Sequence, residues 1–293
     1  SKEILKFNNT KVIAIDRDPD CKGIADKFKQ QYAKQFVFLN KKFSEVDKIV
    51  NDKSKIKAVI LDLGYSYAQI KDPKKGLSFE NTGQLNMRLG LNNFSADDVV
   101  NKLSQKDLEQ IFKYFGEEKD SKIISKRIVD QRIKSNLNTQ KLVNIINSVK
   151  KKSGRIHNAT KIFQALRIFV NKEISELING IIYATKLLRP GGKILIVSFH
   201  SIEDKIIKYF FTNYAKNKSN PSRYMPEEKS DKNFLFENYN KKIFKPSPYE
   251  VKINNSSRSA KLRFATRSKN KFFFPSSIFE RFNNYIEVES FNV

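Results

Sequence analysis

Three polar side chains in this sequence stand at the ends of apolar runs of strand length. Asp16 closes Val12-Ile13-Ala14-Ile15, Asp62 ends Ala58-Val59-Ile60-Leu61, and His200 follows Ile194-Leu195-Ile196-Val197-Ser198-Phe199. In open α/β sheets, ligands are handled just outside the carboxyl ends of the strands. An acid at the end of the second strand of such a sheet accepts hydrogen bonds from ribose hydroxyls, which assigns that role to Asp16. Asp18, just before Pro19, is the better candidate for capping the helix that follows. Phe43, after Phe36-Val37-Phe38-Leu39, stands where an adenine ring would meet an apolar side chain, or where a phenylalanine simply packs the edge of a core. Asp62 leads into Leu63-Gly64-Tyr65-Ser66, and a carboxylate after so apolar a run needs a partner: a cofactor, a substrate or a backbone amide. His200 is open to a site role or a core role, and Ser201 with Asp204 makes a near capping box. A serine hydrolase is not indicated, because no G-x-S-x-G elbow occurs.

The elements that must position these residues follow from the same runs. Continuous apolar strands with room for a helix between them predict parallel strands buried on both faces, the start of a doubly wound α/β sheet. From about Ser95 to Lys152 the periodicity turns helical, through Val99, Val100, Leu103, Leu108, Ile111, Phe112 and Phe115, which predicts an inserted all-helical subdomain. The α/β pattern resumes with a long helix from Thr160 to about Leu188, a Pro190-Gly191-Gly192 turn and the strand before His200. Residues 214–247 read as a long loop, and the alternating runs Tyr249–Ile253 and Lys261–Thr266 as an antiparallel hairpin. The boundaries expected are 1–94 and 160–267 for the two parts of the α/β core, 95–159 for the insertion and 268–293 for a Phe-rich C-terminal extension without assigned role.

The 293 residues carry a formal charge of +25, which points to a polyanionic partner, although lysine-rich composition also makes solvated faces. No run approaches the roughly 18 apolar residues of a membrane span, and no signal-peptide pattern opens the chain, so a nucleic acid is favoured over a membrane. One cysteine, Cys21, and two histidines, His157 and His200, give no metal-ligand cluster and fit a cytoplasmic setting.

Taken together and in order, Ala-Ile-Asp-Arg-Asp-Pro at 14–19, Leu-Asp-Leu-Gly at 61–64, Gly-Leu-Ser-Phe at 76–79, Leu-Asn-Met-Arg at 85–88, Phe-Gly-Glu-Glu at 115–118, Phe-Gln-Ala-Leu-Arg-Ile at 163–168 and Ser198–Asp204 make a specific set. Over about Ser1 to Arg267 the chain resembles the bacterial RsmH (MraW) family of small-subunit ribosomal RNA (cytosine-N4)-methyltransferases. The resemblance implies a class I, Rossmann-like methyltransferase sheet with an inserted helical substrate domain, S-adenosyl-L-methionine as cofactor, and a cytidine in the decoding region of 16S-type rRNA in the small ribosomal subunit as target. It places Asp16, Phe43, Asp62 and Gln69 on cofactor positions; only Gln69 among them has no support from pattern alone. The family's first strand and Gly-rich loop would precede Ser1, so both are expected to be missing here. The family's Leu-Asp-Met-Arg-Met-Asp is Leu85-Asn86-Met87-Arg88-Leu89-Gly90 in this chain, two carboxylates fewer, and its His-Pro-Ala-Thr-Arg is His157-Asn158-Ala159-Thr160-Lys161.

Transfer of a sulfonium methyl group needs in-line placement and exclusion of water, and a hydrogen-bond acceptor would help to localise the delocalised lone pair of a cytosine amine. Asp62, Ser66 and His200 are the expected catalytic residues. Exposing a cytosine in folded RNA costs a few kcal/mol. Arg88, Arg127, Arg132, Arg167, Arg258 and Arg263, with Lys126, Lys134, Lys261 and Arg267, are the basic residues expected to offset that through phosphate contacts. The competing reading is a non-catalytic RNA-binding or ribosome-assembly protein that kept the fold without the cofactor loop. A dehydrogenase ranks below both, since no complete G-x-G-x-x-G occurs.

Overall fold

The computed structural model describes residues 1–7, 9–50, 56–80, 83–90, 92–150, 157–216 and 233–293. They form two compact units, 1–45 with 72–176 and 291–293, and 46–71 with 177–290.

The first unit starts with α1 (Lys2–Leu5), then β1 (Val12–Asp16), α2 (Lys22–Gln31) and β2 (Phe36–Asn40). β1 and β2 pair in parallel, Val12 opposite Phe36 and Asp16 opposite Asn40, as a crossover through a helix requires. Ala25 and Phe28 of α2 pack with Leu5, Val12, Ala14 and Phe36. The expected burial on both faces is not seen. Ile13 and Val37, opposite each other, are 42% and 50% exposed, so this pair is covered on one face only.

Helices then take over: α5 (Ala96–Lys102), α6 (Gln105–Gly116), α7 (Ser121–Arg132), α8 (Thr139–Val149) and α9 (Thr160–Asn171), with no strand among the described residues from 95 to 171. The caps are those the residue types favour. Ser95 and Asp98 form a capping box, Ser104 accepts from the Asp107 amide, and Asn138 accepts from the Lys141 amide. The apolar stripe of α6, Leu108, Ile111, Phe112 and Phe115, is fully buried, and α6 packs on α7 and α9. Gly116 permits this approach, because a Cβ there would lie 2.8 Å from the Lys161 carbonyl oxygen of α9. The expected continuous helix from 160 to 188 is broken at Lys172, which takes a left-handed conformation (φ 50°) and ends α9 before α10 (Glu173–Leu187) begins. Residues 151–156, inside the expected insertion, lie outside the described residues.

The second unit contains α3 (Val46–Ile49), β3 (Ala58–Asp62), α4 (Tyr67–Lys71), the end of α10, β4 (Lys193–Ser198), α11 (Ser201–Tyr214), β5 (Phe236–Tyr239), α12 (Pro248–Ile253), β6 (Lys261–Arg267), α13 (Ser277–Arg281) and α14 (Asn283–Glu289). Its four-stranded sheet has the order β3-β4-β6-β5. β3 and β4 are parallel, with Asp62 opposite Val197, and β6 is antiparallel to both β4 and β5. The expected hairpin partner of β6 is thus displaced. Tyr249–Ile253 is helical, started by Ser247 and Pro248, and β6 pairs instead with β5, which falls within the stretch read as a loop. The middle of that stretch, 217–232, lies outside the described residues. α11 buries Ile202, Ile206, Ile207, Phe210 and Phe211, and the last two meet Phe236 edge to face. The Phe-rich tail joins this core through buried Ile278, Phe282 and Val288, and the Tyr214 hydroxyl lies 2.6 Å from Ser277 Oγ.

Candidate functional site

In the second unit, the parallel register of β3 and β4 brings two of the expected residues to neighbouring strand ends. Asp62 lies opposite Val197, the Leu63 amide donates to the Val197 carbonyl at 3.1 Å, and His200 follows three residues later. Gly64, at φ 86°, turns the chain beside the Phe199 ring, 3.6 Å from where a Cβ would stand. Asp62 is exposed at the tip of β3, and the partial crowding there still lifts its carboxyl above the ordinary carboxylate range.

Ser66 and Gln69 are tied to each other. The Ser66 amide donates to Gln69 Oε1 at 2.8 Å and the Gln69 amide donates to Ser66 Oγ at 3.2 Å, a reciprocal cap that starts α4. This pairing was readable as S-x-x-Q but was missed. The cap expected from Ser201 and Asp204 is shifted by one residue. Glu203 accepts from the Phe199 amide at 2.8 Å and the His200 amide at 3.4 Å, so His200 is the N-cap position of α11. The His200 side chain is 7% exposed, its Nε2 is 3.2 Å from Glu203 Oε1, and neither ring nitrogen meets hydrogen-bond geometry with any described group. Asp204 is free for another task, binding Arg263 at 2.7 Å and Lys261 at 3.2 Å.

In the first unit, Asp16 stands at the carboxyl end of β1. Its Oδ1 accepts from the Asp18 amide at 2.8 Å, and the residue remains half-buried. Asp18 caps the turn at Pro19, as expected, by accepting from the Asp20 amide. It is also 1% exposed and receives Lys75 Nζ on both oxygens at 2.9 Å. Phe43 begins a short 3-10 turn after β2 and is half-buried, which fits either of its expected roles.

The same unit holds a segment whose organisation the sequence reading did not anticipate. Leu85, Met87 and Leu89 are 0%, 0% and 7% exposed, while the alternate residues Asn86, Arg88 and Gly90, with Asn92, line a cavity of about 360 Å³. Buried Asn171 of α9 pins this segment. It accepts from the Leu89 amide at 3.0 Å and from Asn92 Nδ2 at 2.7 Å, and donates to the Met87 carbonyl at 2.8 Å and the Arg167 carbonyl at 2.9 Å. Arg17, next to Asp16, donates to the Asn171 carbonyl at 2.8 Å and to Asn92 Oδ1. Burial lowers the Arg17 pKa, while the charges of Glu176, Glu173 and Asp16 oppose that shift. Met87 is held at φ 57°, unfavourable for a side chain with a Cβ. Gly90, at φ 73°, is required where it stands, since a Cβ would meet the Arg17 carbonyl oxygen at 2.4 Å.

The basic residues divide sharply. Arg88, Arg127 and Arg258 are exposed, as are Lys126 and Lys134. Arg132 is half-buried and donates to the Val100 carbonyl. Arg167 is 8% exposed and doubly bonded to Glu173, and Arg263 is 3% exposed against Asp204. Arg267 is 5% exposed and donates to backbone carbonyls. Arg167, Arg263 and Arg267 therefore hold the fold together and are set aside as phosphate contacts, because a guanidinium so buried cannot meet a polyanion. The motif blocks at 115–118 and 163–168 are likewise structural: Gln164 donates to the Phe115 carbonyl at 3.0 Å, and Glu118, 3% exposed, pairs with Lys150 at 2.6 Å.

An α/β protein with acidic and polar side chains gathered at the carboxyl ends of parallel strands belongs to the class that handles nucleotide-like ligands there. Residues 1–268 match the model of the MraW methylase family. The chain belongs to that family. It is 39% identical over 261 residues to a protein of Bartonella grahamii named ribosomal RNA small subunit methyltransferase H, covering 88% of this chain and 77% of that one. Proteins of the same name from Orientia tsutsugamushi (39% identical, 91% and 88% covered) and Parvibaculum lavamentivorans (37%, 92% and 80%) are similarly related. No helix among the described residues is long and apolar enough to cross a membrane.

Proposed function

We propose that this chain methylates ribosomal RNA of the small subunit, using S-adenosyl-L-methionine and acting on the N4 amine of a cytidine in the decoding region. The observation that carries this reading is the placement of Asp62 and His200 at adjacent parallel strand ends in a chain of the MraW methylase family. The names of the relatives support the RNA substrate. A class I methyltransferase sheet with residues 95–159 as a helical insertion is the architecture we assign; parallel β1–β2 and β3–β4 and the all-helical described stretch between them support it.

Within each unit, the residues present suit the cofactor roles proposed for them. Asp16 keeps a half-buried carboxylate at a strand end for ribose hydroxyls, Phe43 offers a half-buried ring for an adenine, and Asp62 is exposed and ready to accept. Gln69, whose Oε1 caps α4, is assigned a supporting place in the same binding function. When bound, the cofactor supplies an already electrophilic methyl group. What this chain must add is orientation of the amine and exclusion of water. Asp62 accepts a hydrogen bond from the N4 amine, Ser66 orders the loop that carries it through the cap with Gln69, and His200, its ring nitrogens without hydrogen-bond partners among the described residues, is the further polar group at that strand end. Arg88, Arg127, Arg132 and Arg258 contact RNA phosphates in this reading.

The test is transfer of labelled methyl from S-adenosyl-L-methionine to purified small ribosomal subunits, followed by separation of the nucleosides, with the Orientia relative as positive control. Label in N4-methylcytidine is the expected result. RNA binding without transfer, under conditions where the control transfers, would overturn it in favour of a non-catalytic RNA-binding protein.

A further inference from the structure

The cavity beside the 83–90 segment sets Arg88, assigned above to RNA phosphates, beside a second cation and an orienting amide that the methyl-transfer reading does not use. Acidic residues line it too, each held by a bond of its own that keeps it off the Lys74 ammonium and the Arg88 guanidinium. Asp20 pairs with Lys75 at 2.7 Å, and Asp72 accepts from the Lys74 amide at 2.9 Å. Two cations on the lining, Lys74 and Arg88, have no carboxylate partner among the described residues. Lys74 Nζ has no partner among the described residues, and Arg88 uses only its Nε, which donates to Asn86 Oδ1 at 2.8 Å. Asn86 is itself fixed, donating to the Lys74 carbonyl at 3.1 Å, so one amide both closes the loop and orients the guanidinium. Asn86 is neutral, so it orients Arg88 without cancelling its charge. A carboxylate at this position would hold the same hydrogen bond and neutralise the site.

The floor under these two cations is unusually well fixed. Gly76, at φ 60°, brings the Lys74–Lys75 turn so close to residues 84–86 that a Cβ would stand 2.1 Å from the Gln84 carbonyl oxygen. The Met87 amide donates to the Lys75 carbonyl at 2.7 Å, and Asn171 holds the far side. A backbone fixed at several points that presents two cations without carboxylate partners to an open cleft of about 360 Å³ suits a ligand clamp.

We infer that this cavity holds a backbone phosphate of the RNA, gripped by the Arg88 guanidinium and the Lys74 ammonium, with Asn86 as the positioning residue. The inference rests on the RNA-substrate reading and adds to it a particular site. A planar guanidinium with both Nη groups available suits a phosphodiester, and the chain's +25 charge favours a polyanion over an acidic peptide segment.

Fluorescence anisotropy of the full chain with a short fluorescein-labelled single-stranded RNA tests this across a salt series. Arg88→Gln and Lys74→Gln should each weaken binding, Arg88→Gln by about tenfold, and each should reduce the slope of log affinity against log salt by about 0.7. Asn86→Asp should weaken binding in the same direction with the fold intact by circular dichroism. Lys29→Gln, an exposed lysine elsewhere in the first unit, is the control for net charge. If the wild-type chain binds and the Arg88 and Lys74 variants behave like Lys29→Gln, the cavity is not a phosphate site and the inference fails while the methyltransferase reading stands. A wild-type chain that binds no RNA but transfers methyl to subunits also overturns it; one that does neither overturns both.

Discussion

Asn171→Leu should destabilise the first unit by about 3–5 kcal/mol, although the two side chains are nearly isosteric. The four hydrogen bonds of the Asn171 side chain do not weigh equally. Asn92 can turn its amide to water, and Arg167 can keep the backbone bond that closes the last turn of α9. The Leu89 amide and the Met87 carbonyl belong to buried residues and would lose their partner outright. Each such orphan costs about 1–3 kcal/mol. The left-handed Met87, held at a conformation about 1–2 kcal/mol above the ordinary one, would lose the contact that enforces it. Urea unfolding followed by circular dichroism at the helix band is the suitable assay, because the chain has no tryptophan and the helices α5 to α9 supply a large share of the signal. Asn171→Asp keeps an oxygen for the two accepted hydrogen bonds but sets a charge against the Met87 carbonyl, and should recover part of its stability in acid, when the carboxyl gains a proton to donate. A loss below about 1 kcal/mol for Asn171→Leu, or no acid recovery for Asn171→Asp, would show that water or a relaxed loop satisfies these groups and that Asn171 is not the pin.

Burial alone would raise the Asp204 carboxyl, but its bonds to Arg263 and Lys261 outweigh this and hold it below the usual range. Its contribution to stability is therefore complete above the unfolded value of about 3.9 and disappears as pH falls through the lower folded value, so the stability gap between wild type and Asp204→Asn should narrow only in that acid window on a pH series of urea midpoints. The Cys21 thiol is pushed up to about 12, first by burial and then by the Asp16 and Asp18 carboxylates, so iodoacetamide at pH 8 should alkylate it far more slowly than free glutathione; equal rates would contradict this surrounding. Gly116→Val would drive a side chain into the Lys161 carbonyl and part α6 from α9, at a cost of about 1–3 kcal/mol in the same unfolding assay, and an unchanged midpoint would mean the crossing is looser than described.

How far residues alone can be read is clear from particular elements. β1, β2, β3 and β4 were visible because strand-length apolar runs ended in a polar residue, and the helical stretch because α6 repeats its apolar residues at 3.6. The error at 249–253 came from a short alternating run that a Ser-Pro start made helical, while the true partner of β6 hid in a stretch whose polarity suggested a loop. The break at Lys172 had no local marker, since neither glycine nor proline is there. The placement of Asp16 and Asp62 at strand ends, and of His200 just beyond one, was legible from the apolar runs before them. The roles of Arg167, Arg263 and Arg267 were not, because whether an arginine faces solvent depends on acids and carbonyls far away in sequence. Asn171 could not be found from its neighbours at all: its partners Met87 and Leu89 lie more than eighty residues earlier.

The segment from Leu85 to Gly90 alternates like a strand yet belongs to no sheet. Its odd positions settle where the chain lies, and its even positions decide what the cavity offers. The two lost carboxylates noted at 86 and 90 both fall on the even register. The cavity can therefore change its electrostatic character residue by residue without disturbing the apolar contacts beneath it, provided Gly90 keeps its clearance from Arg17. Positions 86, 88 and 92 are where a related chain could be tuned toward a different polyanion while its helical core stays the same.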